Sequence, residues 1–271
     1  MLQFSNGAFI TSIIISVISL FVSIVSLVVP IYRDNNFIKI AMKGNDIATL
    51  GLAIPLLIIS LILAKNNSKN GVLLWYGALF YMVYNYLFYL YGTAYNKMFL
   101  LYVLIIVLSM YSLFFGLTSI DPNQYITTVP DSIMVKVSAG FMILFALLLG
   151  SIWIIMSISY VFTEKIPQPI IDTEHPTAVV FATDLVVLIP LIAMSGIFLW
   201  KKTQWGYIFS TISLVKATSY GLALIFMTLL FKKETGKSDP LLFLWVILTL
   251  GSLFAMIVLL SLKSEKVAQL E

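Results

Sequence analysis

The sequence predicts an all-α, polytopic transmembrane helix bundle of about eight helices, forming a single integral membrane domain over residues 1–271. Hydrophobic residues make up 61% of the chain and charged residues only 10%, whereas about 25% of residues are charged in a soluble domain. The mean hydropathy is +1.03. The chain also contains eight apolar runs of about 20 residues, the length of a helix that crosses a bilayer. The lipid bilayer is therefore the predicted partner.

The eight runs cover approximately residues 8–30, 46–64, 71–95, 98–118, 134–162, 177–200, 204–231 and 240–262. We interpret the first as a retained helix rather than a secretory signal, because residues 1–7 carry no Lys or Arg and the run is long for a signal core. Each run is predicted to be a helix, since unpaired backbone groups cannot face lipid. The longest links, 31–45, 118–132 and 163–176, are too short for a soluble domain.

Basic residues are divided almost evenly between the two faces of this topology. One face carries Arg33 and seven lysines and the other carries seven lysines, so the positive-inside rule does not decide the orientation. An even number of crossings places both termini on one side, and the basic turns at 65–69 and 201–203 favour the cytoplasmic side. The net charge of +4 is attributed to lysines that anchor at lipid headgroups, so no nucleic-acid partner is predicted.

A weak internal repeat predicts two parallel four-helix halves. Asp46 and the motif Ile54-Pro55-Leu56 have counterparts about half a chain later, in Asp184 and Ile189-Pro190-Leu191. Tyr76-Gly77 and Tyr91-Gly92 likewise have counterparts in Trp205-Gly206 and Tyr220-Gly221. This alignment matches the second helix to the sixth and the third to the seventh, and it places Lys216 opposite Leu87. Transporters built from repeats often hold their substrate at the repeat interface. Chance similarity between apolar helices is the alternative.

Asp184 and Lys216 are ionisable residues inside predicted membrane helices. An isolated charge there costs about 2.5 to 3.5 kcal/mol, so such residues usually pair or serve a function. At 1.5 Å per residue, they lie roughly 24 and 18 Å from the face that holds the turn at 201–205, a difference that a lysine side chain spans. A buried ion pair is therefore feasible if the two helices present these residues to each other. The alternatives are that Lys216 snorkels, loses its proton, or binds nearby hydroxyls such as that of Tyr220.

The third predicted helix carries a polar, aromatic face. Tyr81, Asn85, Tyr89, Gly92 and Asn96 follow one another at steps of three and four, which places them on one side of the helix. This face is a candidate lining for a substrate pocket. Packing between helices, together with an interfacial aromatic belt, is the alternative.

Two further candidates lie near the first link. Arg33 belongs to the link, and Asp46 is predicted to open the second helix on the face that also holds the loop 164–175. The two loops would then form a vestibule above Asp184, in which Arg33 attracts an anion or pairs with an acid. Ordinary solvated loop charge is the alternative.

Known catalytic motifs are absent from the sequence. There is no Gly-x-Ser-x-Gly, His-Glu-x-x-His, P-loop or dinucleotide-binding motif, so we predict that the protein is not an enzyme. With no cysteine and a single histidine, His175, neither a metal site nor a cofactor is predicted.

Several short segments resemble a group of uncharacterised multi-pass membrane proteins of bacteria and archaea: Tyr32-Arg33-Asp34, Gly44-Asn45-Asp46, Asp184-Leu185, Ile189-Pro190, Trp205-Gly206-Tyr207 and Leu214-Val215-Lys216. The resemblance covers most of the chain and implies a plasma-membrane location without an established activity. From the residues, we expect a protein that binds or transports a small solute or ion at a mid-membrane polar site between two halves. A structural or sensory membrane protein that packs with a partner is the alternative, and an intramembrane enzyme is third. The oligomeric state is left open.

Overall fold

Eight long apolar helices account for most of the chain, as the sequence predicts. A computed structural model describes residues 5–262, in which these helices are α1 (Asn6–Val28), α2 (Asn36–Lys65), α3 (Lys69–Tyr91), α4 (Phe99–Thr118), α5 (Ile133–Thr163), α6 (Val179–Trp200), α7 (Gln204–Thr235) and α8 (Leu242–Ser261). A 3-10 turn (Pro122–Gln124) precedes α5 and a short helix (Gln168–Thr173) precedes α6. No strand occurs in residues 5–262, so the all-α polytopic fold is confirmed. Lys263 and Lys266, which the orientation count includes, lie outside the described residues.

The links between helices lie on two faces. The N face, where α1 begins, carries links 66–68, 119–132 and 201–203, and the opposite face carries 29–35, 92–98, 164–178 and 236–241. Links on the same face contact one another. The Gln204 side chain donates to the Ile126 carbonyl at 2.9 Å on the N face, and Asn35 Nδ2 donates to the Asp172 carbonyl at 2.9 Å on the opposite face. These contacts agree with helices that alternate in direction.

The helices pack as two groups of four. Within each group the first helix packs against the second and fourth, and the third packs against the same two. The groups meet mainly where α7 packs against α2 and α3. Most residues of α3 are buried on all sides, whereas the outer faces of α1 and α8 expose large apolar side chains such as Phe21 and Phe243. An exposed apolar surface of this extent is expected of helices that contact lipid.

The turns that follow α2 and α6 have the same geometry. Asn67 and Lys202 both adopt the left-handed conformation, with φ of 56° and 57°. The next residues, Ser68 and Thr203, cap α3 and α7 by accepting the backbone N–H three residues later, at 3.1 and 2.9 Å. Asn67 and Lys202 are separated along the chain by the same number of residues as Pro55 and Pro190, a separation that we call the proline offset. The proline offset therefore aligns both the two prolines and the two turns that follow them.

A glycine three residues after each cap allows the start of α3 or α7 to pack closely against the backbone of the preceding helix. A Cβ on either one would collide with the backbone of the preceding helix, at Leu63 and Ala64 for Gly71 and at Phe198 and Leu199 for Gly206. Gly206 is thus the counterpart of Gly71, and its predicted match with Gly77 is wrong. The turn geometry fixes the alignment at the proline offset, whereas aromatic-glycine pairs recur along α3 without marking equivalent positions.

The other helices are also equivalent between the two groups. Ser5 and Ser132 cap α1 and α5, and when these caps are aligned, seven buried positions of α1 match buried positions of α5. Helices α4 and α8 are both 20 residues long, and when their first residues are aligned, all five buried positions of α8 match buried positions of α4. Because each half contains four crossings, both halves begin on the same face. The predicted parallel 4+4 repeat is confirmed.

Helices α2 and α6 each contain one π-helical turn, at Thr49–Ala53 and Asp184–Leu188. In both, the first N–H after the turn bonds to the carbonyl five residues back. Pro55 and Pro190 follow one residue later. Proline lacks an N–H and clashes with the preceding turn, which explains why the helix widens at these two positions.

Helix α2 begins ten residues before the predicted apolar run. Asn35 caps it by accepting the Ile38 N–H at 3.0 Å, and its first turns carry the exposed residues Lys39 and Lys43. Hydropathy could not identify this polar extension. Asp46 therefore does not open the helix, as the sequence had suggested, but is its eleventh residue and is completely buried.

Candidate functional site

Lys216 lies on α7 where the two halves meet, and it is only 1% exposed. Its ammonium nitrogen lies 3.1 Å from the centroid of the Tyr84 ring, 4.7 Å from that of Tyr220 and 5.8 Å from that of Phe80. Tyr84 and Phe80 belong to α3 of the first half. A cation over aromatic faces is attracted to their π electrons, and this attraction is stronger where water is excluded.

Asp184 is hydrogen-bonded to the same tyrosine. It is the first residue of the π-helical turn of α6 and is 4% exposed. One carboxylate oxygen accepts the Tyr84 hydroxyl, and the other accepts Nε1–H of Trp153 at 2.8 Å. The Trp153 indole is stacked on Phe181 with 4.4 Å between ring centroids, which holds the donor in place.

The ion pair that the sequence allows between Asp184 and Lys216 is not formed. No salt bridge joins them, and the ion pairs among residues 5–262 lie elsewhere. The side chain of Tyr84 connects the two charges instead, with its ring under the ammonium and its hydroxyl on the carboxylate. Counting residues from the turn at 201–205 places both residues at a similar depth in the membrane. It cannot show that a side chain from α3 lies between them. We refer to these three residues as the Lys216–Tyr84–Asp184 group.

The repeat places a second polar set at the equivalent positions of the first half. At the proline offset, Asp184, Lys216 and Tyr220 correspond to Thr49, Tyr81 and Asn85. These three are at most 1% exposed, and Asn85 Nδ2 donates to Thr49 Oγ1 at 3.4 Å. The same positions therefore hold polar groups in both halves. All three are neutral in the first half, whereas two of the three are ionisable residues in the second. Lys216 corresponds to Tyr81 and not, as the sequence alignment suggested, to Leu87.

The two sets meet where α3 contacts α7. A Cβ on Gly77 would lie 3.1 Å from the Ile212 carbonyl oxygen and would collide with Val215. Gly77 and Ile212 are themselves equivalent positions, and contact between equivalent positions is expected where two related halves meet. Nearby, the Tyr220 ring lies 5.9 Å from that of Tyr81 and 4.8 Å from that of Tyr84.

Asp46 forms a separate buried group within the first half. Its Oδ2 accepts the Tyr32 hydroxyl at 2.7 Å and its Oδ1 accepts the Tyr89 hydroxyl at 2.8 Å. Tyr32 lies in link 29–35, where burial and the nearby Asp46 carboxylate raise its pKa well above the usual value for tyrosine. Tyr32 therefore keeps its proton and remains a hydrogen-bond donor.

Arg33 belongs to neither buried group. It is exposed on the opposite face, and no residue between 5 and 262 forms an ion pair with it. The loops around it do meet, since the Asp34 carboxylate accepts the Ala94 N–H at 2.7 Å and His175 Nε2 lies 3.0 Å from the Gly92 carbonyl oxygen. These contacts close the loops over the helix ends.

The predicted polar face of α3 is divided between the two groups. Tyr81 and Asn85 lie at the junction and Tyr89 contacts Asp46, whereas Gly92 and Asn96 lie beyond the end of the helix. Sequence reasoning missed four contributing residues: Tyr84, Trp153, Thr49 and Tyr32. An alignment at the proline offset would have identified Thr49, but no local pattern distinguishes the other three.

On the N face, Asp131 joins the link 119–132 to α5 and to the turn before α7. Its carboxylate lies 2.7 Å from the ammonium groups of Lys136 and Lys202. These two hydrogen-bonded lysines lower the pKa of Asp131 to about 2.

Within residues 5–262, no group of three or more His, Cys, Asp or Glu side chains is arranged to hold a metal ion. Comparisons with protein-family models, with curated proteins and with solved structures found no match. The functional interpretation therefore rests on the fold and on the two buried polar groups.

Proposed function

We propose that this protein binds and transports a small solute or ion at the junction of its two halves. The observation that carries the proposal is the Lys216–Tyr84–Asp184 group, in which two buried, opposite charges are linked through a phenol from the other half. Charges inside a membrane domain are costly and are typical of substrate or ion pathways. Transporters with internal repeats hold their substrate near the midplane, between the repeats.

The connectivity of the group supports a moving part. Asp184 and Lys216 belong to the second half, whereas Tyr84 belongs to the first. Any relative movement of the halves shifts the phenol with respect to both charges. The Lys216 ammonium forms no ion pair among residues 5–262, so its charge is available to an anionic or hydrogen-bond-accepting group of a solute.

Flux measurements test this proposal. Purified protein in liposomes is assayed with a pH-sensitive dye and with a panel of labelled organic acids, amines and amino acids. We expect flux that falls at least roughly tenfold in Asp184→Asn and in Lys216→Met, since each change removes about 1.4 kcal/mol or more of interaction with the transported species. Lys39→Met, which changes an exposed lysine, is the matched control. Flux that is insensitive to both junction variants would contradict the proposal.

A structural or sensory role is the second candidate. It is favoured by the bonding of Asp184, since both carboxylate oxygens already have protein donors in Tyr84 and Trp153. Under this alternative, the two junction variants lower stability or weaken association with a partner, and the wild-type liposomes show no flux. We propose a non-enzymatic role in either case, because the described carboxylates and His175 are not gathered into an acid–base or metal site.

We further propose a plasma-membrane location with both termini in the cytoplasm. The basic turns that precede α3 and α7 support this orientation. The chain has no cysteine, so single cysteines can be introduced at exposed positions, Asn66→Cys on the N face and Ile166→Cys on the opposite face. A membrane-impermeant thiol reagent applied to intact cells should label only Ile166→Cys. Labelling of Asn66→Cys alone would reverse the proposed orientation.

A further inference from the structure

Asp46 is a buried acid that no basic residue neutralises in the described part of the chain. It is 0% exposed, and the ion pairs formed by residues 5–262 lie elsewhere. The nearest lysine along the helix, Lys43, is paired with Glu234 at 2.7 Å. A lone carboxylate buried in a membrane domain needs a counter-charge.

The hydrogen bonds of Asp46 suit an ionised carboxylate. Each oxygen accepts a phenol O–H, from Tyr32 at 2.7 Å and from Tyr89 at 2.8 Å. Both donors are neutral, so these bonds leave the charge of an ionised Asp46 unbalanced. The counter-charge is therefore expected to be a separate cation beside the carboxylate.

The serines of α1 point to where that cation lies. Ser12, Ser16 and Ser26 each donate to the carbonyl four residues earlier, at 2.7, 3.0 and 2.8 Å. Ser19 and Ser23 are equally well buried, but their hydroxyls have no hydrogen-bond partner. They are one turn apart and so lie on the same side of α1.

These two serines lie beside Asp46 and Tyr86. The Ser23 hydroxyl neighbours the Asp46 carboxylate, and both serine hydroxyls neighbour the Tyr86 hydroxyl. That hydroxyl is also buried without a hydrogen-bond partner. We call Ser19, Ser23, Asp46 and Tyr86 the Asp46 oxygen cluster. The polar atoms of the cluster are all oxygens with free lone pairs. Hard cations prefer ligands of this type.

We propose that the Asp46 oxygen cluster binds one monovalent alkali cation. A single carboxylate balances a single positive charge, whereas Ca²⁺ sites usually gather several carboxylates. Tyr32, whose hydroxyl bonds to Asp46, belongs to link 29–35, so the cluster lies towards the opposite face. This site does not depend on the proposed transport function.

The repeat supports an ion site in the first half alone. At the positions equivalent to Ser19, Ser23 and Asp46, the second half has Ala146, Gly150 and Phe181. None of these three side chains offers an oxygen ligand. The acid of the second half, Asp184, has the charged Lys216 nearby through Tyr84, whereas Asp46 has no such residue.

Thermal unfolding in detergent tests the site, with sodium as the probe. NaCl replaces choline chloride at constant ionic strength, and KCl and LiCl form parallel arms that identify the preferred alkali ion. We expect the wild-type midpoint to rise by about 5 °C at about 100 mM of the preferred salt, through binding to the folded state. Equilibrium binding of radioactive sodium, or of rubidium if potassium is preferred, should give close to one ion per chain.

Variants assign the effect to the cluster. Asp46→Asn should abolish both the midpoint shift and the bound ion, and Ser23→Ala should require several-fold more salt for the same shift. Ser16→Ala is the matched control, because Ser16 bonds to its own helix and should leave the response intact.

Equal midpoints in all salts and choline chloride, with no bound ion, would overturn the proposal. So would an unchanged salt response in Asp46→Asn, and a midpoint that depends on pH alone would identify a proton as the counter-charge. If Asp46→Asn does not fold, the wild-type ion binding and the Ser23→Ala variant decide. Loss of flux in the Asp184 and Lys216 variants is measured separately, so either proposal can fail without the other.

Discussion

Removing either charge at the junction should destabilise the protein, and removing both should cost about as much as removing one. The Lys216 ammonium lies 3.1 Å from the centroid of the Tyr84 ring, whose hydroxyl donates to Asp184. This arrangement puts the charges roughly 6 Å apart, where their attraction is about 3 kcal/mol at an effective dielectric constant of about 20. Insertion scales give a similar cost, about 2.5 to 3.5 kcal/mol, for a lone charge in a membrane helix.

We therefore expect Asp184→Asn and Lys216→Met each to lower the free energy of unfolding by about 3 kcal/mol. The double variant should lose about 3 kcal/mol less than the sum of the two single losses. Equilibrium unfolding in mixed micelles, followed by circular dichroism, measures all three. Lys39→Met, at an exposed position, should change stability by less than about 0.5 kcal/mol. Losses that add within about 0.5 kcal/mol would show that the charges do not compensate each other and would refute the reasoning.

Two further predictions concern the turn before α7 and the N face. Gly206→Ala should destabilise by more than about 2 kcal/mol because the backbones must separate, whereas Gly51→Ala, with no atom within 4 Å of the new Cβ, should change stability by less than about 1 kcal/mol; the same unfolding assay measures both. The pKa of Asp131, about 2, should rise to about 4 when Lys136 and Lys202 are both replaced by Met, as measured by NMR titration. Because the folded-state pKa is the lower one, the stabilisation is present above about pH 4 and is lost as the pH falls through about 2. An unchanged pKa in the double variant would remove the lysines as its cause.

The sequence was sufficient for the fold because apolar length alone identifies a membrane helix. All eight runs are helices, and the repeat was visible in two prolines. The start of α2 at Asn36 was missed because a polar helix end that extends past the bilayer has no apolar run. The predicted alignment of the third and seventh helices was wrong by six residues. The correct alignment follows from the φ values and backbone contacts of the turns before these helices, and residue types do not reveal either.

The site was predictable only in part. Asp184 and Lys216 could be identified because a charge inside an apolar run stands out in any sequence. Tyr84 and Trp153 could not, since α3 is rich in tyrosine and a tryptophan in a membrane helix is ordinary. Their roles depend on which helices touch, as Tyr84 is 100 residues from Asp184 in the chain. The sequence identified Asp46 as a candidate site residue. It did not predict that Asp46 is buried, because it did not predict that α2 begins at Asn36.

A three-residue shift between the two acids explains why the equivalent halves differ. The position of α2 that is equivalent to Asp184 is Thr49, and Asp46 lies three residues before it. Three residues move a side chain about 4.5 Å along a helix and turn it by roughly 60°. Asp184 therefore reaches across the junction to Tyr84, whereas Asp46 faces Tyr32 and Ser23 within its own half. An acid at Thr49 would place a second negative charge beside the junction with only Lys216 to balance it. The shift keeps the two carboxylates in separate surroundings, one with a lysine from the chain and one that, in our proposal, takes its cation from solution.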